Sequence, residues 1–166
     1  MRTMERLWAP WREAYITAPK EERRGCIFCD KPRVERDEEA YILYRAPRTF
    51  VMLNTFPYNP GHLMVAPSAH VGDLENLDRE TLAELMDVTR QCVQALRAAV
   101  HPEGFNVGMN LGAPAGAGVV DHLHMHVVPR WGGDTNFMSV ISGVRVLSQG
   151  LDRTYEILRP HFTQGE

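Results

Sequence analysis

The run His122-Leu123-His124-Met125-His126-Val127-Val128-Pro129 constrains this chain more than any other feature. Histidine alternates with apolar residues along it, and in a β-strand successive side chains point to opposite faces. His122, His124 and His126 are therefore predicted to share one face of a strand, while Leu123, Met125 and Val127 share the other and pack into a core. At a rise of ~3.4 Å per residue, imidazoles two positions apart stand about 7 Å from each other. Three such rings beside a Gly-rich loop suit proton transfer near neutral pH. Imidazole can also attack phosphorus directly, provided the attacking nitrogen is neutral and the other ring nitrogen is held by a hydrogen bond. Two alternatives stand beside these: an edge strand with solvated histidines, and a three-histidine metal site. The metal site requires the strand to bend, because zinc ligands must each come within about 2.1 Å of the ion.

The surrounding pattern gives the triad a sheet to belong to. Short apolar runs over residues 41–44, 50–53 and 62–67 have the length and composition of strands, and the turn formers Pro57-Tyr58-Asn59-Pro60-Gly61 separate the last two. Asp78 is the expected N-cap of a long helix in which Leu82, Leu85, Met86, Cys92, Val93, Leu96 and Val100 recur at helical spacing, up to the stop at Pro102. Residues 105–111 and 123–128 read as two further strands, separated by Gly112-Ala113-Pro114-Ala115-Gly116-Ala117-Gly118, and residues 152–158 as a C-terminal helix. Strands, then a helix, then strands predict an α+β domain with a five-stranded, mainly antiparallel sheet, one long helix and a C-terminal helix. Residues 1–40, rich in charge, Pro and Trp, read as an irregular arm with one helix over residues 12–17. The division is thus an arm over 1–40, a core unit over 41–137 and a helical extension of that unit over 138–166.

Composition narrows the class of function. With 166 residues and 44% hydrophobic side chains, one core can close without crosslinks. Eighteen basic and 21 acidic residues, net charge −3, form no long run of one sign, so duplex nucleic acid is not an expected partner and any nucleotide bound is a small molecule. No apolar stretch approaches the roughly 20 residues that span a bilayer, and no secretory signal core is present, so a cytoplasmic protein is expected. Three cysteines do not suit a disulfide framework. Cys26 and Cys29 are spaced as a metal-binding or redox pair, whereas Cys92 falls inside the helical pattern as a packed apolar residue.

The run from His122 to Pro129 resembles the signature of the histidine triad superfamily of nucleotide hydrolases and transferases. The likeness extends over roughly residues 41–137: Asn54 followed by Gly61-His62-Leu63-Met64-Val65 is similar to that family's ribose-side segment, and Gly104-Phe105-Asn106-Val107-Gly108-Met109-Asn110 to its penultimate strand. The resemblance implies that His124 is the nucleophile, that His126 contacts the phosphate under attack and that His62 flanks it. It further implies that Asn54 meets the ribose and that Asn110 helps hold phosphate oxygens. Taken alone, His62, Asn54 and Asn110 would read as a turn histidine, a strand-end cap and a turn amide. Many family hydrolases carry Gln followed by Ser or Thr just before the triad, where this chain has Gly118 and Val119. With Leu7-Trp8-Ala9-Pro10-Trp11-Arg12 and the run Pro129 to Phe137, which brings in Trp131 as a substrate-binding residue, the chain looks more like bacterial diadenosine tetraphosphate phosphorylases. In those proteins inorganic phosphate takes the nucleotidyl group from histidine. Gly116 and Gly118 then offer backbone N–H groups to that second anion, or form a plain flexible loop.

A single C-x-x-C supplies only two of the four ligands of a tetrahedral zinc site. Family members with such a pair complete it with a histidine after the third strand and the first histidine of the triad, which implies a structural zinc on Cys26, Cys29, His70 and His122. His122 thus carries two expectations, as a member of the catalytic triad and as a zinc ligand. The expected activity is cleavage of a dinucleoside polyphosphate through a nucleotidyl-histidine intermediate, with phosphate as acceptor and no catalytic cofactor required. The alternatives are a hydrolase of dinucleoside polyphosphates or adenosine phosphoramidates, a zinc-dependent hydrolase, and a non-catalytic nucleotide-binding module. A galactose-1-phosphate uridylyltransferase, which has Gln where His126 stands, fits less well. The resemblance also implies a homodimer joined through its sheets.

Overall fold

Five strands make one antiparallel sheet in the spatial order β1-β2-β3-β5-β4: β1 (Ile42–Arg45), β2 (Thr49–Leu53), β3 (Leu63–Pro67), β4 (Gly104–Met109) and β5 (Met125–Arg130). The computed structural model describes residues 25–134 and 149–162. The expected helix over residues 12–17, the Trp-rich segment around it and residues 135–137 lie outside the described residues.

Alternation along β2 and β3 sorts their side chains onto two faces, and both strands are buried throughout. Val51, Leu53, Leu63 and Val65 pack with Met125 and Val127 on one face, while Phe50, Met52, Met64 and Ala66 pack with Phe28, Ala40 and Ile42 on the other. The first face is covered by α3 (Arg79–Val100), whose start is fixed by the Asp78 carboxylate accepting from the Thr81 backbone N–H at 2.8 Å. Its buried stripe comprises Thr81, Leu85, Val88, Thr89, Cys92, Ala95 and Leu96. That stripe is rotated from the one the large apolar residues predict, and Leu82 and Met86 are 38% and 51% exposed. Thr89 can lie inside because its hydroxyl donates to the Leu85 carbonyl at 2.7 Å. The helix ends with His101 in the left-handed region and Pro102 directly after it.

The second face carries two four-residue helices, α1 (Ile27–Asp30) and α2 (Asp37–Ala40). The C-terminal helix α4 (Leu151–Leu158) is tied to the β1 edge by the Tyr41 hydroxyl, which donates to Asp152 at 2.6 Å, and by the Tyr155 hydroxyl, which donates to the Ile42 carbonyl at 3.1 Å. The turn into β3 requires Gly61: its φ is +82°, and a Cβ there would lie 3.1 Å from Leu96 and 3.3 Å from Pro129. This close approach sets His62 at the head of β3, next to β5.

Candidate active site and metal centre

The last two histidines of the triad and His62 gather on the Phe28 side of the sheet. The ladder between β3 and β5 pairs Met64 with His126, so His126 rises from the face that holds Met64. His122 and His124 precede β5, because here the chain leaves β3 and the Leu123 N–H donates instead to the Val71 carbonyl at 2.7 Å. The flat spacing of about 7 Å therefore gives way to a tighter cluster, with the His124 and His126 ring centroids 4.8 Å apart and nearly perpendicular.

Each ring's tautomer follows from its partners. His124 Nδ1 lies 3.0 Å from the His122 carbonyl, which can only accept, so Nδ1 carries the proton and Nε2 keeps its lone pair. Burial pushes the His124 imidazole below its ordinary pKa, against the raising effect of that carbonyl, and so favours the neutral ring. His62 Nδ1 accepts from the Tyr58 backbone N–H at 3.1 Å, so its proton sits on Nε2 and is donated to His126 Nδ1 at 2.9 Å. The His126 proton then lies on Nε2. The result is a relay from the Tyr58 backbone through His62 to His126, beside the bare nitrogen of His124. Across the sheet His126 faces Gly108 on β4, and no described atom lies within 4 Å of where a Cβ on Gly108 would be. Among the described residues the face beside His126 is therefore open on that side.

The remaining expected site residues are distributed around this cluster. Asn54 accepts from the Phe56 N–H at 2.9 Å and its amide nitrogen lies 3.3 Å from His62 Nδ1. Asn110 donates to the Gly116 carbonyl at 3.4 Å, tying the end of β4 to the Gly-rich loop, where Gly112 and Gly116 both have positive φ. Trp131 stands past the end of β5, its backbone N–H donating to Asp134 at 3.3 Å.

Four residues missed by the sequence reasoning complete the picture. Phe28 lies against His124, with ring centroids 4.6 Å apart, and Tyr58 against His62, also at 4.6 Å. Asn59, 4% exposed, donates to the Pro129 carbonyl at 3.0 Å and to Asp134 at 2.7 Å. Asp134 also accepts from Arg130 Nε and Nη2, at 2.6 and 2.9 Å. The spacing of Arg130 and Asp134 and the placement of Phe28 inside the cysteine pair were the available signals.

His122 points elsewhere. Its Nε2–H donates to the Pro67 carbonyl at 2.8 Å, which leaves the Nδ1 lone pair 3.3 Å from the Cys26 sulfur and 3.5 Å from that of Cys29. His70 Nδ1 is 3.3 Å from the Cys29 sulfur, and the four ligand atoms all lie within 4.8 Å of one another. Tetrahedral bonds of about 2.1 Å to nitrogen and 2.3 Å to sulfur separate ligands by about 3.5 Å, so these four residues fit a metal ion of that geometry. The carbonyl on Nε2 is the outer partner that fixes a ligating imidazole. The two loops meet closely: a Cβ on Gly72 would lie 2.9 Å from the Val120 carbonyl oxygen and 3.1 Å from Asp121 Cα.

A buried imidazole whose Nδ1–H is held by a backbone carbonyl, beside a hydrogen-bonded pair of histidines, forms a histidine-centred candidate site. Residues 35–133 match the HIT domain, and the chain belongs to that family. It is 42% identical over 161 residues to a Mycobacterium tuberculosis protein named AP-4-A phosphorylase, covering 93% of this chain and 83% of the relative. It is also 34% identical over 113 residues to an uncharacterized HIT-like protein of Saccharolobus solfataricus, covering 68% and 79%. Among solved structures, a zinc-bound histidine triad family protein from Mycobacterium smegmatis superposes with a TM-score of 0.66 at 26% identity, over 82% of this chain and 92% of that one. A hypothetical histidine triad nucleotide-binding protein from Sulfolobus tokodaii gives 0.65 at 27% identity, over 82% and 91%. Among the described residues no helix is long and apolar enough to cross a membrane.

Proposed function

We propose that the protein cleaves dinucleoside polyphosphates, diadenosine tetraphosphate foremost, by transferring a nucleotidyl group first to His124 and then to inorganic phosphate. The observation that carries this reading is the pinned tautomer of His124, whose Nδ1–H is committed to a backbone carbonyl while Nε2 is bare. His124 Nε2 attacks the α-phosphorus, a P–N bond forms, and the P–O bond to the remaining polyphosphate breaks, releasing ATP. The His126 Nε2–H stabilises the phosphate oxygens, with His62 holding His126 in the donor tautomer. Asn110 holds a further oxygen, Asn54 meets the ribose and Trp131 flanks the substrate, whereas the Gly116 N–H, expected to approach an anion, donates to the Ala113 carbonyl at 2.9 Å within the loop. In the second step a phosphate oxygen attacks the phosphoramidate, the P–N bond breaks and ADP leaves with the neutral imidazole restored. His122 contributes its carbonyl, and its ring belongs to the metal centre.

The metal is proposed to be zinc on Cys26, Cys29, His70 and His122, where it crosslinks the arm to the sheet. The same reading gives a cytoplasmic homodimer that joins sheets through the exposed edge of β4. Support for phosphate as acceptor comes from the relative named AP-4-A phosphorylase and from Gly118 and Val119 at the pocket edge. The test is product analysis with diadenosine tetraphosphate, with and without inorganic phosphate. ADP and ATP formed only when phosphate is present support the proposal; AMP and ATP formed equally well without it assign the second step to water. Tight nucleotide binding with no product assigns a binding module.

A further inference from the structure

The Cys26-Ile27-Phe28-Cys29 segment does more than supply two thiols. Its four-residue helix turns Phe28 inward beneath the histidines, where the side chain is 1% exposed. The Phe28 ring centroid lies 4.6 Å from that of His124, with planes 31° apart, and 5.2 Å from that of His122. Phe50 backs it at 6.4 Å. Two separate links therefore join the cysteine–histidine cluster to His124: the carbonyl of the ligand His122, and the ring of Phe28 between the two cysteines.

The hydrogen bond to His122 fixes one corner of the His124 imidazole but leaves the ring plane loosely defined, because an sp³–sp² torsion is broad. A flat apolar surface against the ring narrows it, and with it the direction of the Nε2 lone pair. A helix of one turn cannot hold such a surface in place by itself. Its anchors are the burial of Phe28 among Phe50, Met52 and Met64 and the grip of the cluster on Cys26 and Cys29.

We infer that Phe28 is a positioning residue for the nucleophile, and that occupation of the Cys26, Cys29, His70 and His122 site holds it there, so that the metal centre sets the aim of His124 without touching substrate. This rests on the assignment of His124 as nucleophile.

Phe28→Leu keeps an apolar side chain and removes the flat ring. In single-turnover mixing with diadenosine tetraphosphate, the rate constant for nucleotidyl transfer to His124 is expected to fall on the order of tenfold to a hundredfold. Bound zinc per chain and affinity for a non-cleaved dinucleotide analogue should stay unchanged. The histidine nitrogen NMR spectrum supplies a readout independent of turnover, since the slowly exchanging Nδ1–H of His124 should be weakened in the variant. Wild type stripped of zinc by a chelator should reproduce both changes while its sheet stays folded. An unchanged rate constant and an unchanged Nδ1–H signal at full zinc content overturn the inference, as does collapse of the whole fold in both preparations, which would make the loop a structural staple only. Absence of any adduct on the wild-type protein would instead remove the nucleophile assignment, and the NMR comparison would still decide whether Phe28 orders the ring.

Discussion

Replacing Asp134 by Ala isolates the clasp that holds the end of β5 to the turn before β3. Asn59 would keep one amide hydrogen on the Pro129 carbonyl and lose the acceptor of the other, in a residue that is only 4% exposed. A buried donor left unpaired costs about 1–3 kcal/mol. The bonds to Arg130 add less, about 0.5–1 kcal/mol, because that side chain is 41% exposed and can be rehydrated. The total of about 1.5–4 kcal/mol should lower Tm by about 3–16 °C in a domain of this size. Hydrogen bonds from Arg130 hold the Asp134 carboxyl well below the usual carboxylate range. A depressed folded-state pKa contributes stability that is full above the unfolded value of about 4 and disappears as pH falls through the folded one. Urea denaturation of wild type and variant should therefore show a constant difference from about pH 5 to 8 that shrinks below about pH 4. A difference under about 0.5 kcal/mol at neutral pH would contradict this assignment and reduce the clasp to a solvated surface pair.

Two further substitutions probe the open face and the metal loops. Gly108→Ala adds a methyl where no described atom lies within 4 Å, so stability should change by no more than about 0.5 kcal/mol, whereas KM for the dinucleotide should rise if its phosphates lie beside His126; unchanged kinetics would place the substrate elsewhere. Gly72→Ala pushes a methyl against backbone atoms of Val120 and Asp121 and should separate the loops bearing His70 and His122, lowering zinc affinity by about tenfold in a competition titration. Full retention of affinity would show that these loops adjust independently.

Much of the fold was legible because its signals are local and redundant. The Asp78 cap and the Pro102 stop each specify structure within a few residues and appear where the pattern places them, whereas of the alternation in His122–Val128 only the part from Met125 onward lies in a strand, because Leu123 bonds to Val71 instead of to β3. The face of α3 was less legible, since its buried stripe uses Thr81, Thr89 and Ala95, which hydropathy does not single out. The four residues of the candidate metal site could be gathered only by resemblance, because their approach depends on backbone contacts between the loops at Gly72 and Asp121. Asn59 was invisible and Phe28 showed only its place inside the cysteine pair, for a related reason: each acts through a ring contact or an amide bond to a residue about 70 to 100 positions away, and no spacing rule reaches that far.

The most direct test of the account is to mix the protein with diadenosine tetraphosphate in the absence of phosphate, quench in alkali and find by peptide mass spectrometry where a nucleotidyl group resides. An adenylyl mass on the peptide containing His124, absent in His124→Ala and discharged as ADP when phosphate is added, is the predicted result. Turnover that persists in His124→Ala, or an adduct on a different residue, would contradict it.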